Sequence, residues 1–535
     1  MTEDDKEFIR QLGTFSNARI TELKKLRKIK GKLVSPFNSL RGPIVFKSWK
    51  DDALPMYTWA ALLIGLVSRD EYLLVFREII RKVQNRHEQK IESLYPNHWS
   101  LRNLTNEQFD DIFQSLLANT EFKENIATLA ELECLPDNAH WKRHAKSDQQ
   151  SNAIPLARGY AKCIDHQSQE ATDVRWLILM CFIANDRMTF DYKFEERLKE
   201  FQEYPNRGEM RSVRPSIRAM EIMTRGDPDF YDDQTKDGGK TKEEADKKMA
   251  IANEAVWQEL FEKTDCNALP LTKPTSIDQR SVQKELAEVC TEVYEYFFPT
   301  VSTTGIDARH DTSFGLVLYA MALALEAVSL RPHQLVSGRL LLRSLVEAHI
   351  NLHFLRMKDD KTIWYQFRNF GTSQTKLALL KYLDLREKPD YIDLEQLFLF
   401  ANEDMWHEYQ DIDLGTWAKK NLREIAQEAG LKTIYDKHYP ILSTASHAHW
   451  PAVREVVFAQ CVNPLHRFHR IADLPHFSYE NLIPEMCKLL NLMLDDLNHL
   501  YPPFKPRLRA YKAVPKDGTT ETTSSEAANV DDGGS

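Results

Sequence analysis

Apolar residues recur along this chain every three or four positions far more often than every second position. The longest such run is Gln334–Met357, QLVSGRLLLRSLVEAHINLHFLRM. A repeat near 3.6 residues marks an α-helix packed against a core. Through this run passes a polar stripe of Arg339, Arg343 and Glu347, one residue per turn. Burying an arginine or a glutamate is costly unless it meets a partner, so the stripe must face one. The same period predicts helices over Val282–Phe298, Phe314–Leu330, Ile363–Leu385, Leu394–His407, Trp417–Ala429, Pro440–His449 and Asn481–Leu500. Nearer the N-terminus, Leu54–Gln84 reads as two helices joined near Ser68–Arg69–Asp70, and Ala171–Ala184 as a buried helix. Strand-like alternation with Asn-Gly or Asp-Gly turns does not stand out. The expected fold class is all-α.

Two breaks divide the pattern. Gly226–Lys248 is charged and almost free of apolar side chains, so it cannot offset its ordering entropy and reads as a linker, leading into a helix near Glu243. A second loop is expected over Leu269–Ser276. The expected organisation is an N-terminal helical domain (1–225), a charged linker with loops (226–276), a C-terminal helical bundle (277–505) and a disordered polar tail (506–535). No repeat of fixed period is visible.

Composition changes this picture little. Glycine is scarce, at 18 of 535 residues, which suits long helices better than many tight turns. A net charge of −9 disfavours nonspecific nucleic-acid binding by the whole molecule but leaves local patches open. The clearest patch, Arg19–Lys32, is expected to be a solvated amphipathic helix with Ile20, Leu23, Leu26 and Ile29 on one face. An arm that contacts RNA or phosphate is the other reading. Seven scattered cysteines without C-x-x-C argue against a disulfide framework or a zinc ribbon. The acidic start MTEDDKEF has no signal-peptide core, and the uncharged apolar runs Met56–Val67 and Trp176–Ala184 fall short of the roughly 20 residues of a bilayer span. A cytoplasmic protein without a membrane segment is expected.

Candidate chemistry gathers in the C-terminal half, where twelve of the seventeen histidines lie between His310 and His499. Arg343 and Glu347, four apart, can pair on one helix face. They form either a structural ion pair or a polar cleft in which Arg343 holds an anion and Glu347 orients it or acts as a base. In YPILSTASHAHWP, Tyr439–Pro451, Pro440 is expected to open a helix and Pro451 to end it, placing Ser443 and His447 on one face with Ser446 and His449 near. That segment is either a capping and packing element or a source of proton transfer by His447. His349 and His353 have the spacing of two metal ligands but lack the H-E-x-x-H signature, and core histidines are the better reading. Neither a nucleotide-binding glycine loop nor a G-x-S-x-G elbow occurs. No metal or cofactor is expected.

The helix carrying Arg343 and Glu347 in RSLVEA, followed by Ser443 and His447 in LSTASH, resembles a family of bacterial all-helical domains of unknown function, over about Val282–Tyr501. A more distant similarity is to HEPN domains, marked by arginine and, four to six residues on, histidine. Arg343 and His349 fit that spacing, with Ser344 where the pattern has asparagine, aspartate or histidine; Arg81–His87 and Arg470–His476 fit as well. The first resemblance brings no established reaction; the polar stripe itself reads as structural or as the polar cleft of an interaction or sensor module, with a protein partner or a phosphate-containing ligand. The second implies a metal-independent ribonuclease of an antiphage or toxin system, using Arg343 with His349 or His447 on RNA.

Overall fold

In the computed structural model the chain forms two compact units, one of residues 1–269 with 460–471, the other of 270–459 with 472–535. The structure describes residues 23–34, 48–187, 195–204, 213–224, 242–268, 278–329, 335–404, 410–472 and 482–512. Helices dominate, and among these residues the only sheets are two short two-stranded pairs. The all-α expectation holds. The loop 269–276 and the tail from 513 lie outside the described residues, as does 226–241 of the expected linker.

Where it is described, the basic segment near the N-terminus is not an amphipathic α-helix but a single 3-10 turn, Leu23–Lys25, followed by a hairpin. Arg27–Ile29 (β1) and Lys32–Val34 (β2) pair in antiparallel register, with Ile29 opposite Lys32. Lys30 and Gly31 both have positive φ, 46° and 77°, the backbone of a two-residue hairpin turn. This local turn overrides the helical spacing, and Leu23 and Ile29 stay exposed instead of forming a buried face.

In the first unit, Thr58–Leu66 (α1) and Arg69–Gln84 (α2) meet at Ser68, whose backbone N–H donates to the Glu71 carboxylate at 2.9 Å. This reciprocal cap explains why one long apolar stretch breaks into two helices. Helix α1 crosses Ala153–Ile164 (α3) at very close range. A Cβ added at Gly159 would lie 1.7 Å from the Ala61 carbonyl oxygen, and one at Gly65 would lie 1.8 Å from that of Pro155. Only glycine fits there. Gln169–Ala184 (α4) is buried nearly all round, as its uniform apolarity requires. Its one deep carboxylate, Asp173, is fully satisfied: it accepts from Arg69 (2.8 and 3.0 Å), Tyr72 (2.7 Å), Tyr204 (2.7 Å) and Gln169 (2.9 Å). Lys242–Glu262 (α5) places Val256, Trp257 and Leu260 in this core. It starts at Lys242, in line with the helix expected near Glu243 at the end of the charged stretch.

The second unit is built from long helices: Gln279–Thr300 (α6), Ala308–Ser329 (α7), Leu335–Lys358 (α8) and Lys361–Leu383 (α9). Shorter ones follow, Leu394–Ala401 (α10), Leu422–Glu428 (α11), Lys432–Ser446 (α12) and Trp450–Val457 (α13). Strands Phe458–Gln460 (β3) and Arg470–Ala472 (β4) pair at the two ends of the 460–471 segment that belongs to the first unit, and within the second unit Ile483–Leu500 (α14) closes the bundle. Helices α6, α7, α8 and α14 share one core through Leu286, Phe314, Met321, Leu345, Ile350, Leu490 and Leu494. Helix α7 has the length and hydropathy of a membrane span, yet 56% of that window is buried inside the protein, as in a core helix.

Two boundaries differ from the sequence reading. Helix α12 starts at Lys432 and runs through Pro440, while Pro451 begins α13 instead of ending α12. Helix α11 is shorter than expected because Asn421 caps it, accepting from Glu424 N–H at 3.1 Å.

Candidate functional site

Helix α8 carries polar groups on two sides, and each side meets a different partner. Arg339, 4% exposed, forks onto Glu455 of α13 at 2.7 and 3.2 Å. One turn on, the Arg343 Nε lies 3.1 Å from Glu347 Oε1, and Nη2 donates to the Tyr439 hydroxyl of α12 at 2.9 Å. The Tyr439 ring stacks on Tyr435 at 4.8 Å. Thus the stripe is engaged from end to end, and its Arg343–Glu347 half is open to solvent on one side.

Ser443 lies on α12 one turn beyond Tyr439, so the two sequence-marked helices do pack together at this seam. The Ser443 and Ser446 hydroxyls are buried and make no hydrogen bond. His447 caps the end of α12 with its side chain exposed, its ring 5.6 Å from that of His449. Ser443 and His447 therefore share a helix but not a hydrogen bond.

His349 is on another side of α8. It is buried, both ring nitrogens lack hydrogen-bond partners, and burial pulls its pKa down to about 4. It faces α14, where its Nδ1 stands 4.0 Å from Asp496. The structure does not bring Arg343 and His349 together.

Asp496 is the residue that sequence reasoning missed. This buried carboxylate receives His353 Nδ1 at 2.9 and 3.1 Å and pairs with Arg356 Nε at 2.7 Å. Arg356 Nη2 in turn donates to His353 Nε2 at 3.2 Å. The carboxylate can only accept, so it fixes His353 as the Nδ1–H tautomer. His353 and Arg356 remain about one-fifth exposed. Asp496 is 143 residues from His353, and no local spacing could announce the pair.

A groove of about 480 Å³ opens between α7 and α9. Gly315 and Gly371 leave its walls without side chains, Leu316, Phe367 and Phe400 supply apolar surface, and Arg368 and Glu403 stand at its polar side. A Cβ at either glycine would meet nothing within 4 Å, so these glycines make open space, not close contact. Arg368 is held by three carboxylates, Asp404 at 2.7 Å, Asp311 at 2.8 Å and Glu403 at 3.0 Å. Phe398, Leu399 and Phe400 of α10 are exposed in succession, and Phe400 lines the groove. Among the described residues, the one group of three or more metal-type ligands lies in the N-terminal unit.

Residues 312–460 match the model of DUF5677, a family of unknown function. The DUF5677 match takes in Arg343, Glu347, Ser443 and His447, and also every residue lining the α7–α9 groove. Asp496 lies beyond it. No curated protein and no solved structure matches the chain.

Proposed function

We propose that the DUF5677 region is an interaction module whose α7–α9 groove receives a peptide segment of a protein partner, apolar and carrying a basic residue. The observation that carries this reading is Phe400, exposed on the wall of a groove that two helical glycines keep open and continued on α10 by exposed Phe398 and Leu399. Contiguous exposed apolar surface beside a concavity is uncommon unless something covers it. Three carboxylates around a single guanidinium leave the groove's edge net negative, which favours a cationic residue on the partner. The test is selection of displayed random peptides on the full chain. Enriched peptides should join apolar positions to lysine or arginine and should fail to bind Gly371→Leu, which fills the groove without touching the core. Equal binding to both proteins would end this reading.

A second reading, metal-independent ribonuclease, is favoured by one observation, the His353–Asp496–Arg356 group. An imidazole oriented by a buried carboxylate, with a guanidinium beside it, has the parts for proton transfer and phosphate stabilisation. Arg356 would turn to the phosphate and free the Nε2 lone pair of His353. His353→Ala should then abolish RNA cleavage while the far-ultraviolet dichroism stays unchanged; cleavage surviving that substitution removes the reading.

A further inference from the structure

The N-terminal unit contains a set of side chains that no part of the above employs. Cys266, Cys461, His466 and His469 each offer one ligand atom, and these atoms all lie within 4.8 Å of one another. Cys266 Sγ is 3.4 Å from His466 Nδ1 and 3.2 Å from His469 Nε2, and Cys461 Sγ is 3.5 Å from His466 Nδ1. For a tetrahedral ion with metal–sulfur bonds near 2.3 Å and metal–nitrogen bonds near 2.0–2.1 Å, the sulfur–nitrogen edge is about 3.5 Å. The observed contacts are edges of about that length.

The backbone around the cluster is built to hold this arrangement. Val462 N–H donates to the Asn267 carbonyl at 2.7 Å, and Cys461 pairs with Ala268 in an antiparallel bridge. Asn463 starts the turn Pro464–His466 by accepting from Leu465 N–H at 3.0 Å. Its amide donates back to Thr264 Oγ1 at 3.2 Å and to the Asp265 carbonyl at 2.9 Å. Two segments about two hundred residues apart are thereby stitched together before any metal is considered. Between the two histidines, Arg467 and Phe468 both take the left-handed conformation with φ of 54°. Two successive non-glycine residues of that kind persist only where their surroundings hold them. The effect is to aim both imidazoles at the two sulfurs.

The protonation pattern agrees with ligation. His466 Nε2 lies 3.1 Å from the Thr264 carbonyl, which can only accept, so the proton sits on Nε2 and the Nδ1 lone pair faces the thiols. A donor bond from the far ring nitrogen to a carbonyl is the usual outer support of a metal-bound histidine. Plain thiol–imidazole hydrogen bonds explain less, because two sulfurs, Cys266 Sγ and Cys461 Sγ, approach the one Nδ1 lone pair of His466. Nearby Arg467 is compensated by Glu254 and Asp51 and adds no unpaired positive charge.

We propose that Cys266, Cys461, His466 and His469 form a tetrahedral binding site for a zinc ion. Two sulfur and two nitrogen donors in this geometry select zinc among common divalent ions. Binding forms two zinc–thiolate and two zinc–imidazole bonds and releases the two thiol protons, so the two thiolates balance the charge of the ion. The site's role is structural, since all four coordination positions belong to the protein. It clamps residues 460–471 onto the 264–268 segment. The absence of C-x-x-C argues only against a ribbon; here a C-x4-H-x2-H segment receives its fourth ligand from far along the chain.

The test is metal analysis and cobalt substitution on the full chain. Wild-type protein should purify with about one zinc per chain, and the chelated protein should take up Co2+ with the sulfur charge-transfer band and strong visible bands of a tetrahedral thiolate site. His469→Ala, altered at the half-exposed edge of the cluster, should lose those bands while keeping its helical dichroism. Cys290→Ser, outside the cluster, should retain zinc and bands alike. Wild-type protein without zinc that gives no tetrahedral Co2+ spectrum overturns the proposal, and so does an unchanged spectrum in a Cys266→Ser/His469→Ala double variant.

Discussion

His353 donates to Asp496 at 2.9 Å across the interface of α8 and α14, a deep carboxylate that holds both an imidazole and a guanidinium. Removing it strands Arg356 and His353 beside apolar neighbours. Asp496→Ala should destabilise the C-terminal unit by about 3 kcal/mol, toward the lower end for breaking a buried pair because its partners keep some water. Urea unfolding followed by the unit's tryptophan fluorescence measures it, and a loss below about 1 kcal/mol would show the group to be dispensable.

His349 makes stability depend on pH in a definite direction. Its folded pKa, lowered by burial to about 4, lies below the unfolded value near 6.5. Between those values the unfolded chain binds a proton that the folded one does not. Its contribution is therefore intact above about pH 6.5 and is lost progressively as pH falls toward 4, by about 3 kcal/mol in all. His349→Leu should flatten that part of the profile and cost little at pH 7, because neither ring nitrogen is hydrogen-bonded. Parallel profiles for variant and wild type would contradict this.

Glycines in this chain should respond oppositely to alanine. Gly159→Ala drives a methyl into the Ala61 carbonyl and should cost about 2–3 kcal/mol or more, since backbone on both sides must part. Gly371→Ala meets open space in α9 and should gain up to about 1 kcal/mol from helix propensity. Thermal melts of the two variants should move in opposite directions.

Along the polar stripe the two arginines should rank clearly. Arg339 is buried against Glu455, and Arg339→Ala should lower stability by about 2 kcal/mol. Arg343→Ala should cost about 1 kcal/mol or less, because its pair with Glu347 stands partly in water. The reverse order, read from denaturation midpoints, would mean that the open end of the stripe carries the load.

What the sequence made legible is whatever repeats locally. The run Gln334–Met357 predicts α8 within a residue at each end, and the joint read near Ser68–Arg69–Asp70 is the break between α1 and α2. Proline was the weaker guide: Pro440 sits inside α12, and Pro451 opens α13 where the sequence reading has it end α12. The Lys30–Gly31 turn defeated a helical reading, because turn geometry is decided by two residues and periodicity by a dozen. The sites were hidden for a different reason. Asp496 with His353, and Cys266 with His466, are joined across 143 and 200 residues, and such pairings exist only once the fold does.

The chain path also sets a timetable. Leu465 is a buried member of the N-terminal unit's core, yet it is made about two hundred residues after Leu269, where that unit otherwise ends. At a synthesis rate of about 5–20 residues per second, the ribosome needs roughly 10–40 s to supply it. The half of the protein that is born first is thus completed late, after nearly all of α6 to α13 has emerged. A message cut short anywhere in that interval yields a first unit with its last core piece missing.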